Sequence, residues 1–424
     1  MPQGPRRVMV GCPDARPPAY QAVVGLERVR MLDLFVTSFY YGGDGPLSAF
    51  GRWVAPRRFA RWQDVLRRRH DPEIPPARVR SAWGFDLALG LERRLAGRRP
   101  RSRRRVARWR TRRFDRGLAR ALERHRPEAA LVFSDVGSEF ALPECRRLGI
   151  PSVLSMVHGD VREERSVLER EVETAPDFAP IYLGDGALDR DELAWLHDRR
   201  LLDIELADRI LVPSEHIARA LVGHGTARSK IAVIPYAADT RRFLPLESKR
   251  HDASCTFLFA GGITQRKGIK YLLEAWRRIR RPGWRLQLLG PLPSRIGPLG
   301  AYLDEVEPLG RVSHSEVPAR MAAADVFVFP SLFEGSAVVT YEALACGLPS
   351  VVTPDAGSVV RDGVEGFVVP PRDIEALAGR MERLGLDPDL RAEMAAKARV
   401  RALEFDWPRY HSALIEALGA AIRL

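Results

Sequence analysis

Lysine is scarce in this chain: only five of its 67 basic residues are lysines, and arginine supplies the rest. Cysteine is scarce too. The four present, Cys12, Cys145, Cys255 and Cys346, lie far apart and make no C-x-x-C pair, so they read as reduced, buried thiols of a cytosolic protein. No apolar run approaches the roughly 20 residues needed to span a bilayer. Met1 to Arg7 lead into a short strand-like run and lack the apolar stretch of a secretory leader. A cytoplasmic location is the expectation, at most peripheral to the inner face of the plasma membrane.

Acidic residues are thin in one stretch. Between Arg52 and Arg126 stand 25 arginines against seven acidic residues, a surplus of 18 that exceeds the whole chain's +13. The remainder is therefore slightly acidic, which weakens a nucleic-acid reading of the pI near 10.1. Trp62 and Trp109 sit among the arginines of Arg57 to Trp62 and Arg103 to Trp109. That mixture suits a solvated basic face, a peripheral contact with an anionic membrane, or an anionic acceptor. Nucleic acid ranks last.

What is present is a repeated alternation. With 424 residues, two or three domains are expected. Short branched runs at Val8–Val10, Leu34–Thr37, Ala130–Phe133, Val153–Val157, Ile210–Pro213 and Ile231–Ile234 are separated by helix-like stretches such as Glu192–Leu206 and Glu215–Val222. A polar break near Leu244–Arg250 follows. The alternation restarts at Thr256–Ala260, Leu286–Leu289, Val326–Phe329 and Ser350–Thr353. The pattern predicts an α/β protein with two doubly wound parallel sheets in tandem. The expected domains are 1–243, 252–404 and a C-terminal segment, 405–424, crossing back onto the first. Ligands in such sheets bind beyond the carboxyl ends of the strands.

Two loops carry chemistry. Gly261-Gly262-Ile263-Thr264-Gln265-Arg266-Lys267-Gly268 joins a strand to a helix-like stretch. Glycines permit close backbone approach, and Arg266 and Lys267 add positive charge where a helix start already favours an anion. A diphosphate cradle and a solvated surface turn are the two readings. The second loop, Ser331-Leu332-Phe333-Glu334-Gly335-Ser336, follows a buried strand and precedes a helix read as Ala337 to Ala345, with Glu342 about two turns in. Glu334 is then at the cleft mouth, and the amides of Gly335, Ser336, Ala337 and Val338 are left free at the helix N-terminus. Glu342 suits a ribose diol, since one carboxylate accepts two hydroxyl hydrogen bonds.

The stretch beginning Ala324-Asp325-Val326-Phe327 resembles the C-terminal domain of family 4 glycosyltransferases, strongly from Phe257 to Pro371 and adequately from Ala207 to Asp239. The resemblance implies the GT-B fold, two Rossmann-like domains facing across a cleft, and a retaining transfer from a nucleotide-diphosphate sugar to an unidentified acceptor hydroxyl. The family's E-x7-E motif falls on Glu334 and Glu342. The resemblance implies that Glu342 holds the nucleotide ribose, Glu334 the transferred sugar, and Lys267 with a partner arginine the diphosphate. Gly262 stands where the family commonly has that arginine, so Arg266 is the substitute. His158, after the strand ending at Val157, is the candidate contact from the N-terminal side; with Glu334 it is the catalytic candidate. The loop after the first strand holds Pro13, Pro17 and Pro18, which donate no N–H, so it serves phosphate or acceptor with equal justification.

No cofactor and no metal are expected. Asp189-Arg190-Asp191 reads as a helix opening and Asp387-Pro388-Asp389 as a turn, so neither follows a strand end as a metal clamp would. A same-fold nucleotide-sugar epimerase or phosphorylase and a non-enzymatic binder of an anionic membrane or polymer are the alternatives.

Overall fold

Branched apolar runs too short for helices become the strands of two all-parallel sheets, buried on both faces as such sheets require. The computed structural model describes residues 7–14, 17–42, 69–82, 84–95, 100–184, 190–246, 254–294 and 296–422. The first sheet comprises β1 (Val8–Gly11), β2 (Leu32–Thr37), β3 (Val79–Ser81), β4 (Ala129–Phe133), β5 (Ser152–Ser155), β6 (Arg209–Val212) and β7 (Ile231–Val233). Its spatial order is β3-β2-β1-β4-β5-β6-β7. The second comprises β8 (Cys255–Ala260), β9 (Trp284–Leu289), β10 (Glu307–Gly310), β11 (Val326–Phe329), β12 (Ser350–Val352) and β13 (Gly366–Val368), in the order β10-β9-β8-β11-β12-β13. Both orders reverse beside the first strand of the sheet, the switch point at which open α/β sheets bind ligands.

Helices cover both faces. In the first half they are α1 (Pro17–Arg28), α2 (Gly84–Leu95), α3 (Pro100–His125), α4 (Ala141–Leu148), α5 (Val161–Thr174), α6 (Arg190–Leu206) and α7 (Glu215–Gly223). In the second they are α8 (Ile269–Ile279), α9 (Val317–Ala322), α10 (Val338–Ala345), α11 (Ile374–Leu386), α12 (Pro388–Leu403) and α13 (Trp407–Ile422). α13 lies on α1: the Tyr410 hydroxyl reaches the Pro18 carbonyl at 3.4 Å, and His411 Nε2 meets Gln21 Oε1 at 3.0 Å. The last helix thus stitches the chain's end to its beginning. All four cysteines are buried, and none is in a disulfide.

Several local expectations are corrected. The strand read as Val153–Val157 ends at Ser155, which leaves Met156 and Val157 to the loop. α10 starts at Val338, so Glu342 stands about one turn in rather than two. Asp387 is no turn residue; its carboxylate caps α12 by accepting from the Leu390 amide at 2.9 Å. Asp189, and the Arg57–Trp62 part of the basic segment, lie outside the described residues. No described helix is long and apolar enough to cross a membrane.

Candidate active site

The site is built where β8 and β11 end. After β8 the chain passes through Gly261 and Gly262 into a single 3-10 turn, Gln265–Lys267, closed by Gly268 at φ +73°. A Cβ on Gly268 would lie 1.9 Å from the Pro330 carbonyl oxygen, so only glycine lets this turn cross the end of β11. The crossing delivers Lys267 to the second loop. Its Nζ lies 2.5 Å from Glu334 Oε1 and 4.8 Å from the centroid of the Phe329 ring.

The second loop is held from beneath. The Glu334 amide donates to the Asp355 carbonyl at 2.9 Å, and the Ser336 hydroxyl to the Gly357 carbonyl at 2.7 Å. The Ala337 amide is taken by the Ala356 carbonyl at 3.0 Å, which corrects the expectation that it is free. The amides of Gly335, Ser336 and Val338 have no protein acceptor among the described residues.

Gly262, Lys267, Glu334, Ser336, Ala337, Val338 and Glu342 line one cavity of about 480 Å³. Burial pushes the Glu342 carboxyl up to about 7, with Arg242 opposing the rise. Burial also raises Glu334, but Lys267 and Arg266 outweigh it and hold this carboxyl below its ordinary range. The two glutamates of one motif thus sit in opposite electrostatic environments.

Arg266 does not line this cavity. Its amide donates to the Tyr182 carbonyl at 3.1 Å, and its guanidinium stands 3.6 Å from Glu334 and 3.9 Å from Glu164. It therefore backs Glu334 from the junction of the two halves. At Gly335 the halves approach so closely that a Cβ there would lie 2.5 Å from the Val157 carbonyl oxygen. His158 follows directly. It is buried and outside the lining of the cavity, with Nδ1 2.9 Å from the Gly159 carbonyl and Nε2 3.3 Å from Asp135.

Three residues around His158 were invisible to sequence reading. Asp135 occupies φ +79°, an uncommon conformation for a non-glycine residue, and accepts from Arg200 Nε at 2.7 Å. Although burial raises Asp135, Arg200 and His158 more than offset it and hold the carboxylate well below its usual range. Arg200 also donates to Glu164 at 2.8 Å. An ionic chain therefore runs His158–Asp135–Arg200–Glu164–Arg266–Glu334–Lys267 from one half to the other. Arg311, Val312, Val317 and Met321 complete the 480 Å³ cavity on the side away from Glu334. Arg311 and Val312 follow β10, a strand the sequence pattern did not show, and Val317 and Met321 stand on the short α9.

Two parallel switch-point sheets with a cavity at the carboxyl ends of the second define a GT-B glycosyltransferase fold. Comparisons agree. The chain superposes on sucrose-phosphate synthase from Thermosynechococcus elongatus with a TM-score of 0.65 at 19% identity, covering 98% of this chain and 100% of that one. The Anabaena protein HepE, solved with UDP and glucose, gives 0.60 at 15% identity, covering 98% and 99%. Residues 64–242 match the model described as Glycosyltransferase Family 4, and residues 254–387 the one described as Glycosyl transferases group 1. The chain belongs to family 4 of the glycosyltransferases. It is 32% identical over 240 residues to a D-inositol 3-phosphate glycosyltransferase of Pseudarthrobacter chlorophenolicus, covering 52% of this chain and 57% of that protein. An MMP alpha-(1->4)-mannosyltransferase of Mycolicibacterium hassiacum is 26% identical over 306 residues, covering 69% and 71%. For several other curated relatives the chain spans about half of their length, 52% and 55% in two cases.

Proposed function

We propose that this chain moves a sugar from a nucleotide-diphosphate sugar to an acceptor hydroxyl with retention of anomeric configuration and without a metal. The observation that carries the reading is the meeting of Lys267, Glu334 and Glu342 in one cavity beside unclaimed amides. The Lys267 ammonium, now paired with Glu334, turns to the donor diphosphate, and the Gly335, Ser336 and Val338 amides add fixed dipoles toward the same charge. Glu334, released from Lys267, accepts hydroxyl protons of the sugar, while ionised Glu342 accepts those of the ribose diol. The C1–O bond to the β-phosphate breaks, the acceptor oxygen bonds C1 on the same face, and the acceptor proton passes to the departing phosphate oxygen. Leaving-group charge is met by these groups, and the DxD-like Asp387 and Asp389 belong to the start of α12.

The test is a thermal-shift screen of UDP, GDP, ADP and TDP sugars with and without EDTA, followed by NMR of the product anomer. Binding raises Tm by mass action. One donor should stabilise the folded chain equally with and without chelator and give slow release of nucleoside diphosphate. UDP in the HepE structure puts uridine donors first. No stabilisation by any of the four sinks the reading; an inverted product or an EDTA-sensitive rate corrects its retaining or metal-free clause.

A further inference from the structure

A cavity of about 860 Å³, larger than the donor cavity, is a basic hollow between α3 and the end of β3. Seven arginines line it and no described lining residue is acidic. Arg80, Arg105, Arg113, Arg116 and Arg120 have no carboxylate partner among the described residues. Arg112, by contrast, is paired with Glu139 at 2.7 Å. The α3 arginines recur at helical spacing on one face, from Arg105 through Arg112 and Arg116 to Arg120, a stripe about 22 Å long. Folding thus leaves a concave cationic surface that is only partly neutralised, which favours a bound anion.

The hollow continues into an apolar groove of about 540 Å³ between α2 and α3, with which it shares Gly84, Arg105 and Trp109. Leu87 is 76% exposed in this groove, Leu91 48% and Trp109 52%. Exposed leucines beside a tryptophan are a poor surface for water and a good one for hydrocarbon. Because all strands of the first sheet are parallel, Ser81 at the end of β3 opens on the same edge as Ser155 at the end of β5, which leads to His158.

We propose that hollow and groove together bind the acceptor, an amphiphile whose phosphate or diphosphate head lies among the arginines and whose hydrocarbon chain starts over Leu87, Leu91 and Trp109. This inference rests on the transferase reading above. Charge complementarity selects the phosphate, the adjoining groove selects an attached chain over a free anion, and concavity selects a single molecule over the plane of a bilayer.

The test is calorimetric titration of the full chain, with the nucleoside diphosphate of the donor sugar that gave the largest thermal shift present at saturation so that the donor cavity is occupied. The probe is farnesyl diphosphate below its micellar concentration; inorganic diphosphate, farnesol and phosphatidylglycerol vesicles are the comparisons. Farnesyl diphosphate should bind at least ten-fold tighter than either half-molecule, since each buried methylene adds about four-fold. Arg105→Ala with Arg116→Ala should weaken it about ten-fold or more, as loss of charged hydrogen-bond donors does. Leu87→Asn, at an exposed position that tolerates polarity, should weaken farnesyl diphosphate several-fold and leave inorganic diphosphate unchanged. Equal affinity for inorganic diphosphate, binding to vesicles but not to the monomeric probe, or indifference to all three substitutions overturns the proposal. A chain that binds nucleotide but no amphiphile refutes this inference alone; one that binds amphiphile but no nucleotide refutes the acceptor role.

Discussion

At the scale of single residues, Glu342 offers the sharpest expectation. Its carboxyl is raised from 4.5 to about 7 by desolvation in the wall of the donor cavity. The folded chain therefore keeps this proton to higher pH than the unfolded chain does. Its cost to stability is absent below pH 4.5, grows from 4.5 to 7, and is complete above 7. Glu342→Gln should accordingly raise Tm relative to wild type at pH 8 and change it little at pH 4.5. Affinity has the opposite sign, because only the carboxylate accepts both ribose hydroxyls. Calorimetry with a UDP-sugar, whose diphosphate does not titrate near 7, should show affinity rising between pH 6 and 8 in wild type and flat in Glu342→Gln. Lys267→Ala should lower nucleotide-sugar affinity by about ten- to hundred-fold at every pH. Glu334, Glu342 and Lys267 were legible because each belongs to a local strand-loop-helix unit. Asp135, Glu164 and Arg200 were not: three separate elements bring them together, and no spacing announces it.

At the scale of elements, the loop after β8 is governed by Gly268. Alanine there meets two costs, a left-handed φ and a Cβ 1.9 Å from backbone oxygen, and together they amount to about 3 kcal/mol. Gly268→Ala should lower stability by that amount in urea unfolding and also weaken nucleotide binding, since the turn that aims Lys267 must shift. Gly262→Ala is the stability control: its Cβ would find only Thr264 Cγ2, at 3.7 Å. The strands that escaped sequence reading, β3, β10 and β13, are all edges of their sheets. β3 is nowhere fully buried, β10 holds Glu307, Pro308 and Gly310, and β13 is only three residues long and opens with Gly366. The central strands, buried on both faces, have the continuous apolar runs that sequence shows plainly.

At the scale of the whole molecule, the cleft depends on contacts that link residues far apart in the chain. Glu171 of α5 is fully buried and accepts from the Tyr271 hydroxyl at 3.0 Å and Arg372 Nε at 2.7 Å, as well as from Gln265, so one carboxylate of the first half holds three side chains of the second. Nothing near Glu171 in sequence marks it; it lies on a helix of mixed charges with four other glutamates, of which Glu163 and Glu164 pair with His224 and Arg200. Removing it leaves the Arg372 guanidinium half-enclosed without its anion, a loss of about 3 kcal/mol. The donor cavity is built from the second half alone, whereas His158 and the arginine hollow belong to the first. Glu171→Ala should therefore separate two measurements. Nucleotide affinity stays within about two-fold of wild type, while transfer to acceptor falls by an order of magnitude or more and small-angle scattering reports a wider particle. A parallel fall in nucleotide affinity and transfer would show instead that Glu171 supports the donor cavity and not the approach of the two halves.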